Sequence, residues 1–117
     1  MRSYNHVSLI GRVTRNPEEK KYSEGVSRVT FTLAVDRKYQ NPEGKFDVDF
    51  FRITAWNKLG ELVTEHLKTG YLVMANGRLQ VHEQTDERKA RLVEIIADDF
   101  TLLSTKPEGE EVTANAA

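Results

Sequence analysis

Two aromatic side chains and a cation share one face of a segment with the pattern of a β-strand. Residues 47–56 alternate in character, and successive side chains of a strand point to opposite faces of its sheet. Phe50, Arg52 and Trp56 therefore fall on one face. Aromatic rings stack on unpaired bases and arginine neutralises phosphate, so this combination is typical of surfaces that bind single-stranded nucleic acid.

The other face of the same segment is apolar. Phe51, Ile53 and Ala55 alternate with the residues just described, and we expect them in the core. A core would not favour Arg52, and an idle solvent face would not favour two rings. The alternative is that Trp56 packs beneath a helix and Arg52 pairs with an acid. The residue types favour binding of single-stranded nucleic acid over this alternative.

A second group of basic and aromatic residues surrounds a predicted loop. Arg37, Lys38 and Tyr39 precede the turn residues 41–44, and Lys45 and Phe46 follow them. A hairpin of this composition can wrap a bound strand, although a solvated turn with Tyr39 laid on the protein is the alternative. Three single cations on predicted strands or strand ends are further candidates for phosphate contacts, although each alone is more often a solvated surface charge: Arg12, Lys58 and Arg78.

Catalysis finds little support in the sequence. There is no cysteine, and His6, His66 and His82 lack the spacing of metal ligands. Asp47 and Asp49 share a strand face, but no histidine lies near a plausible nucleophile in the sequence. We therefore expect no metal, no cofactor and no enzymatic activity.

Length and charge fit one small binding domain. The 117 residues suffice for a single domain, and the net charge is −1. Residues 1–58 carry eleven basic and seven acidic side chains, whereas one lysine and five acids follow from Asp98 onward. This distribution is consistent with a phosphate-binding body and an acidic tail, and ordinary scatter of charge explains it as well. Without a membrane-length apolar run or a signal-peptide pattern, we expect a cytoplasmic protein that does not enter membranes.

The predicted elements are five strands and one helix. The helix, at residues 59–67, falls between the third and fourth strands, with Asn57 as its predicted cap and Gly70 at its end. Gly77 inside the fourth strand predicts a bulge or sharp bend. This order favours an all-β, five-stranded OB-fold barrel over an SH3-like barrel or a small α+β sheet. The barrel domain is expected at residues 1–104 and a short, acidic, flexible tail at residues 105–117.

Short motifs in a specific order resemble the bacterial-type single-stranded-DNA-binding protein family. The resemblance extends from about Asn5 to Leu103. It is carried by these segments: Asn5-His6-Val7, Ile10-Gly11-Arg12-Val13, Asn16-Pro17-Glu18, Lys21-Tyr22, residues 29–37, Phe50-Phe51-Arg52, Gly60-Glu61-Leu62, residues 67–70 and residues 76–80.

This resemblance implies a nucleoid-associated homotetramer that wraps single-stranded DNA, with little sequence preference, during replication, recombination and repair. It implies base stacking by Tyr39, Phe50 and Trp56 and phosphate contacts by Arg52 and Lys58. It also implies subunit contacts near Asn5, Val7, Leu9 and Phe51.

The chain departs from the family pattern in two places. Where the family often has an aromatic residue flanked by basic ones, near the end of the fourth strand, this chain has Val81-His82-Glu83-Gln84. Arg88, Lys89 and Arg91 would then compensate. The tail also lacks the closing Pro-Phe through which the family recruits replication and repair proteins. These departures leave a rival hypothesis open, an OB-fold interaction module of a replication or primosome assembly whose aromatic strand face binds protein.

Overall fold

In the computed structural model, residues 2–83 and 91–106 are described. The elements in chain order are β1 (Val7–Val13), β2 (Glu18–Ser23), β3 (Val26–Gln40), β4 (Phe46–Trp56), α1 (Asn57–His66), β5 (Leu72–Glu83) and β6 (Arg91–Ser104). No helix of the described residues is long and apolar enough to cross a membrane. Residues 107–117, most of the predicted tail, lie outside the described residues.

Five strands close into a barrel. The order along the sheet is β1-β5-β6-β4-β3-β2, and β1 also pairs with β3 at Arg12 and Val13. The ring is completed by a parallel pairing in which Ile53 of β4 lies opposite Ile95 of β6. Because β2 pairs only with β3 within the described residues, it widens the sheet without taking part in closure. The predicted OB barrel, with its helix after the β4 strand, is confirmed.

The core fills the barrel from the alternating faces of its strands. Val29, Phe31 and Leu33 of β3 are buried, as are Ile53 and Ala55 of β4. Two residues of the helical segment, Val63 and Leu67, pack against them and plug one end of the barrel. The predicted core face of the aromatic strand is therefore confirmed at Ile53 and Ala55, whereas Phe51 is half-buried.

The predicted ends of the helix are wrong. Asn57 has a φ of 53° and lies within α1, and the preceding residue, Trp56, is at the cap position without a side-chain cap. The Asn57 side chain instead accepts a hydrogen bond from the Ser27 amide at 3.0 Å. Gly70 lies beyond the end of α1, with a φ of 93°, and its amide donates to the Val13 carbonyl at 2.8 Å. Both residues serve tertiary contacts rather than helix capping.

The bulge predicted at Gly77 is present. The β5–β6 register shifts between Asn76 and Gly77. A Cβ at Gly77 would collide with the backbone of Ile96, so the two strands can approach this closely only at a glycine.

Candidate nucleic-acid interface

One concave face of the barrel carries the predicted aromatic residues. On β4 this face is formed by the even-numbered residues, and antiparallel pairing places Arg28 beside Trp56 and Thr32 beside Arg52. Strand β2 widens the face, since Lys20 pairs with Arg28. We call this surface the β2–β4 groove. It consists of two adjoining depressions of about 640 and about 570 Å³, which share Thr30 and Arg52.

The two predicted stacking rings mark the two depressions. Phe50 lines the first and is 66% exposed, whereas Trp56 lines the second and is 36% exposed. The two residues are six positions apart along β4, which corresponds to about 20 Å. Trp56 contacts the ring of Tyr22, with centroids 5.9 Å apart and planes inclined by 31°. Thus Trp56 has an aromatic neighbour on β2 and a ring surface open to the groove.

Arg52 is the central cation of the groove. Its side chain is exposed and lines both depressions. Within residues 2–83 and 91–106, no hydrogen bond or ion pair occupies its guanidinium. The alternative that an acid neutralises Arg52 is therefore not observed in this part of the chain, and its charge can act on an anion in the groove.

Tyr22 and Arg28 are two of the groove residues that the sequence analysis missed, and Arg15, which lines the Phe50 depression, is another. Tyr22 lies on β2, whose six residues are all exposed and give no apolar alternation. Arg28 lies on the same face as Trp56, but only the β3–β4 register brings the two together. The available signal was the period of β3, which places Arg28, Thr30 and Thr32 opposite the core residues.

One predicted cation, Arg37, forms ion pairs with two carboxylates of the β3–β4 hairpin. Nε of Arg37 donates to Asp49 Oδ2 at 3.1 Å, and Nη1 lies 3.8 Å from Asp47 Oδ2. The hydrogen bond to Asp49, together with the charges of both carboxylates, raises the pKa of Arg37. Asp49 and Phe50 lie on different faces of β4, and Arg37 is therefore held away from the face that forms the groove. Lys38 and Tyr39 lie at the end of β3, and Tyr39 is 78% exposed.

Three other predicted cations, all within the described residues, lie outside the groove. Arg12 donates to the carbonyls of Gly70 and Lys106, at 2.9 and 2.7 Å. Lys58 lies 3.8 Å from Glu61 on α1, and Arg78 pairs with Asp98. The remaining two, Arg88 and Lys89, are outside the described residues. Contacts of all five with nucleic acid remain predictions.

Residues 4–103 match the sequence profile of the single-strand binding protein family. The chain belongs to this family. It is 38% identical over 107 residues to single-stranded DNA-binding protein 1 of Clostridium acetobutylicum, with 89% of this chain and 97% of that protein covered. Identity to the single-stranded DNA-binding protein of Bacillus cereus is 36%, and there the match covers 92% of this chain and 64% of the relative.

A solved structure shares the fold. The wild-type single-stranded DNA binding protein from Thermus aquaticus superposes with a TM-score of 0.77 at 23% identity. The match covers 91% of this chain and 53% of that one, so the present chain spans about half of its length. Members of the single-strand binding protein family are DNA-binding proteins and not enzymes. No cluster of three or more potential metal ligands occurs among the residues that the structure describes.

The departure from the family pattern on β5 has a structural counterpart. His82 Nε2 lies 2.7 Å from Glu94 Oε1, and both residues line the Trp56 depression with Leu92. This wall of the groove therefore presents a histidine–carboxylate pair and an apolar side chain. Among the described residues that line this wall, there is no phenylalanine, tyrosine or tryptophan and no lysine or arginine.

Three of the four residues that the family resemblance assigns to subunit contacts, Asn5, Val7 and Leu9, lie on or near β1, whereas the fourth, Phe51, lies on β4 and is half-buried. The Asn5 side chain donates to the carbonyl and accepts from the amide of Leu79, at 2.7 and 2.9 Å. Val7 and Leu9 are half-buried, and Leu9 packs against the core. Among the described residues, positions 7–11 of β1 pair on one side only, with β5.

Proposed function

We propose that this protein binds single-stranded DNA with little sequence preference. The observation that carries the proposal is the β2–β4 groove, where the exposed rings of Phe50 and Trp56 flank the cation of Arg52, which has no ion pair within the described residues. The family membership and the names of the relatives support it.

Binding in this groove needs no base-specific contact. Every base has a π face, so stacking on Phe50 and Trp56 accepts any sequence, at about 1–3 kcal/mol per base. Arg52 lies between the rings along β4 and can neutralise the phosphates that link the stacked nucleotides. Tyr39, exposed at the end of β3, offers a further ring beyond the Phe50 end.

We also propose that the protein acts as a homotetramer in DNA replication, recombination and repair. The one-sided pairing of β1 supports self-assembly, because the free edge of a strand is a template for pairing with another chain. Tetramers would place several grooves on one DNA strand, which increases affinity by raising the local concentration of sites.

Fluorescence titration with oligo-dT tests the DNA-binding proposal. Trp56 is the only tryptophan, so its emission reports on one end of the groove. We expect quenching on binding, with log–log dependence of affinity on salt of about −0.7 per neutralised phosphate. Phe50→Ala should weaken binding by about 5-fold to 150-fold, the equivalent of one stacked base.

Leu103→Ala is the control for Phe50→Ala, since Leu103 is also exposed but lies on β6 outside the groove. If the wild-type protein does not bind oligo-dT, DNA binding is refuted. The rival hypothesis, an OB-fold module whose aromatic strand face binds protein, is then favoured. If it binds and the two variants lose affinity equally, the site is not the β2–β4 groove.

A further inference from the structure

Two cations lie against one aromatic ring beside Trp56. Nζ of Lys20 is 5.2 Å and Cζ of Arg28 is 5.4 Å from the centroid of the Tyr22 ring. Both distances fall within the range of cation–π attraction, about 6 Å. Because Tyr22 also contacts Trp56, the four side chains form one cluster at the end of the groove, which we call the Tyr22 cluster.

Arg28 is prepared for a ligand rather than for a protein partner. Its side chain is half-buried, and Nε has no hydrogen-bond acceptor within the described residues. No acidic side chain in that part of the chain forms an ion pair with it. Because Nε itself has almost no accessible surface, a phosphate in the groove would contact the terminal nitrogens of the guanidinium. The planar guanidinium suits phosphate oxygens in particular.

We propose that Arg28 and Lys20 form a phosphate subsite for single-stranded DNA, with Tyr22 as the residue that positions them. The subsite would receive the phosphate next to a base stacked on Trp56. This inference rests on the proposed DNA-binding function and extends it with three residues to which the family resemblance assigned no role in binding.

The subsite also indicates where the DNA strand leaves the groove. On the β5 side of Trp56, the wall carries the carboxylate of Glu94, paired with His82. On the β2 side, the wall carries Lys20 and Arg28. Phosphate is attracted to the second wall, so the strand crosses β2 beside Trp56. Within the described residues, the β2 side of Trp56 thus presents two cations where the β5 side presents a carboxylate paired with a histidine.

The salt dependence of oligo-dT binding tests the subsite. Arg28→Gln should reduce the slope of log affinity against log salt by about 0.7, the contribution of one phosphate on a single strand. At low salt it should weaken binding about ten-fold, as expected for a charge-assisted hydrogen bond. Arg28→Lys retains the charge and should retain the slope.

Lys21→Gln is the matched control. Lys21 lies on the same strand as Lys20 but faces the α1 side, in a depression lined also by Lys58 and Glu61. Its removal eliminates one positive charge without touching the Tyr22 cluster, and the slope should not change. If Lys21→Gln lowers the slope as much as Arg28→Gln does, a general charge effect explains both and the subsite is refuted.

The positioning role of Tyr22 has its own readout. Tyr22→Leu should lower the salt slope as Arg28→Gln does. Tyr22→Phe should keep the wild-type slope, because a ring without the hydroxyl still holds the cations. The subsite is refuted if Phe50→Ala weakens oligo-dT binding while the Arg28 and Tyr22 substitutions leave both its affinity and its salt slope unchanged. The proposed function would then remain intact. Absence of wild-type binding would refute both.

Discussion

Arg37 and Arg52 carry the same charge, but within the described residues only Arg37 forms ion pairs. Arg37 is held by Asp49 and Asp47, whereas Arg52 has no ion pair among the described residues and lies in the groove. Arg52→Gln should therefore lower the salt slope of oligo-dT binding by about 0.7. Removal of both members of the other pair, by Arg37→Gln with Asp49→Asn, should leave the slope unchanged.

The double substitution preserves net charge, so it isolates the role of Arg37 from simple repulsion by an unpaired Asp49. Equilibrium titrations at four or five salt concentrations measure both slopes. A lower slope for the double variant would show that Arg37 leaves its carboxylates and contacts phosphate when DNA is bound.

The period of a strand predicts a shared face but not a neighbour. Phe50, Arg52 and Trp56 could be grouped from the sequence because alternation along one strand is a local property. Tyr22 and Arg28 could not be placed beside Trp56, because the β2–β3–β4 register is set by pairing between strands, which the alternation within one strand does not encode. Asn57 was misassigned as a cap since its residue type fits that role, while the structure uses its side chain to bind Ser27.

At the scale of elements, Gly77 determines how closely β5 and β6 approach. A Cβ at this position would meet the Ile96 carbonyl group and lie 3.0 Å from Cα of Ala97, so backbone would have to move. We expect Gly77→Ala to lower the free energy of unfolding by about 1–3 kcal/mol, the usual cost of overpacking. Urea denaturation followed by circular dichroism measures this loss.

Gly25→Ala provides the comparison for Gly77→Ala. Gly25 has a φ of 80° in a turn where an added Cβ meets no atom within 4 Å. Its cost is therefore conformational, about 1 kcal/mol, without steric conflict. If Gly77→Ala is no more destabilising than Gly25→Ala, the strands at the bulge can separate freely.

The Asn41 side chain bridges the turn of the β3–β4 hairpin, in addition to two backbone hydrogen bonds. Oδ1 of Asn41 accepts from the amides of Glu43 and Lys45, at 2.9 and 3.0 Å, and Nδ2 donates to Asp47. Asn41→Ala should speed hydrogen exchange at the amides of Glu43 and Lys45, because both lose their acceptor. In Asn41→Ala, NMR should show wild-type exchange rates for the amides of the core strands. In the control Gln40→Ala, the amides of Glu43 and Lys45 should keep their wild-type rates. Unchanged protection of the two amides in Asn41→Ala would mean that the turn backbone holds the loop unaided.

The strands with an apolar face were predictable, and the strand without one was not. Residues 29–35 alternate and were assigned to a strand, but β3 extends to Gln40 because pairing with β4 continues beyond the core. Consequently Arg37, Lys38 and Tyr39 lie on strand rather than in the loop. Strand β2 is exposed throughout, so backbone pairing with β3 is its main constraint, and such pairing leaves no periodic signal.

At the scale of the whole molecule, closure of the barrel depends on contacts that no local pattern encodes. The parallel pairing of β4 with β6 joins residues more than forty positions apart, at Ile53 with Ile95 and Thr54 with Ile96. The sequence supported the barrel through the order of its elements, namely a helix after the aromatic strand and a glycine in the strand that follows. The resemblance to a known family then selected one barrel among the alternatives.

The one-sided pairing of β1 leads to a prediction about assembly. Ile10 is 51% exposed, on the part of β1 that pairs only with β5 in the described residues. If this strand edge joins subunits, sedimentation equilibrium should give a mass four times the 13.4 kDa of the chain. Ile10→Asp should yield a smaller species, because a charge on an edge strand opposes pairing with another chain.

The Ile10→Asp subunit should retain its fold, since the exposed Ile10 side chain is not part of the buried core and the barrel closes within one chain. Thr64→Asp, on the exposed side of α1, is the control and should leave the mass unchanged. Circular dichroism of both variants separates loss of assembly from loss of fold. A folded Ile10→Asp protein that keeps the wild-type mass would exclude this part of β1 from the contact, and a monomeric wild-type protein would refute the tetramer itself.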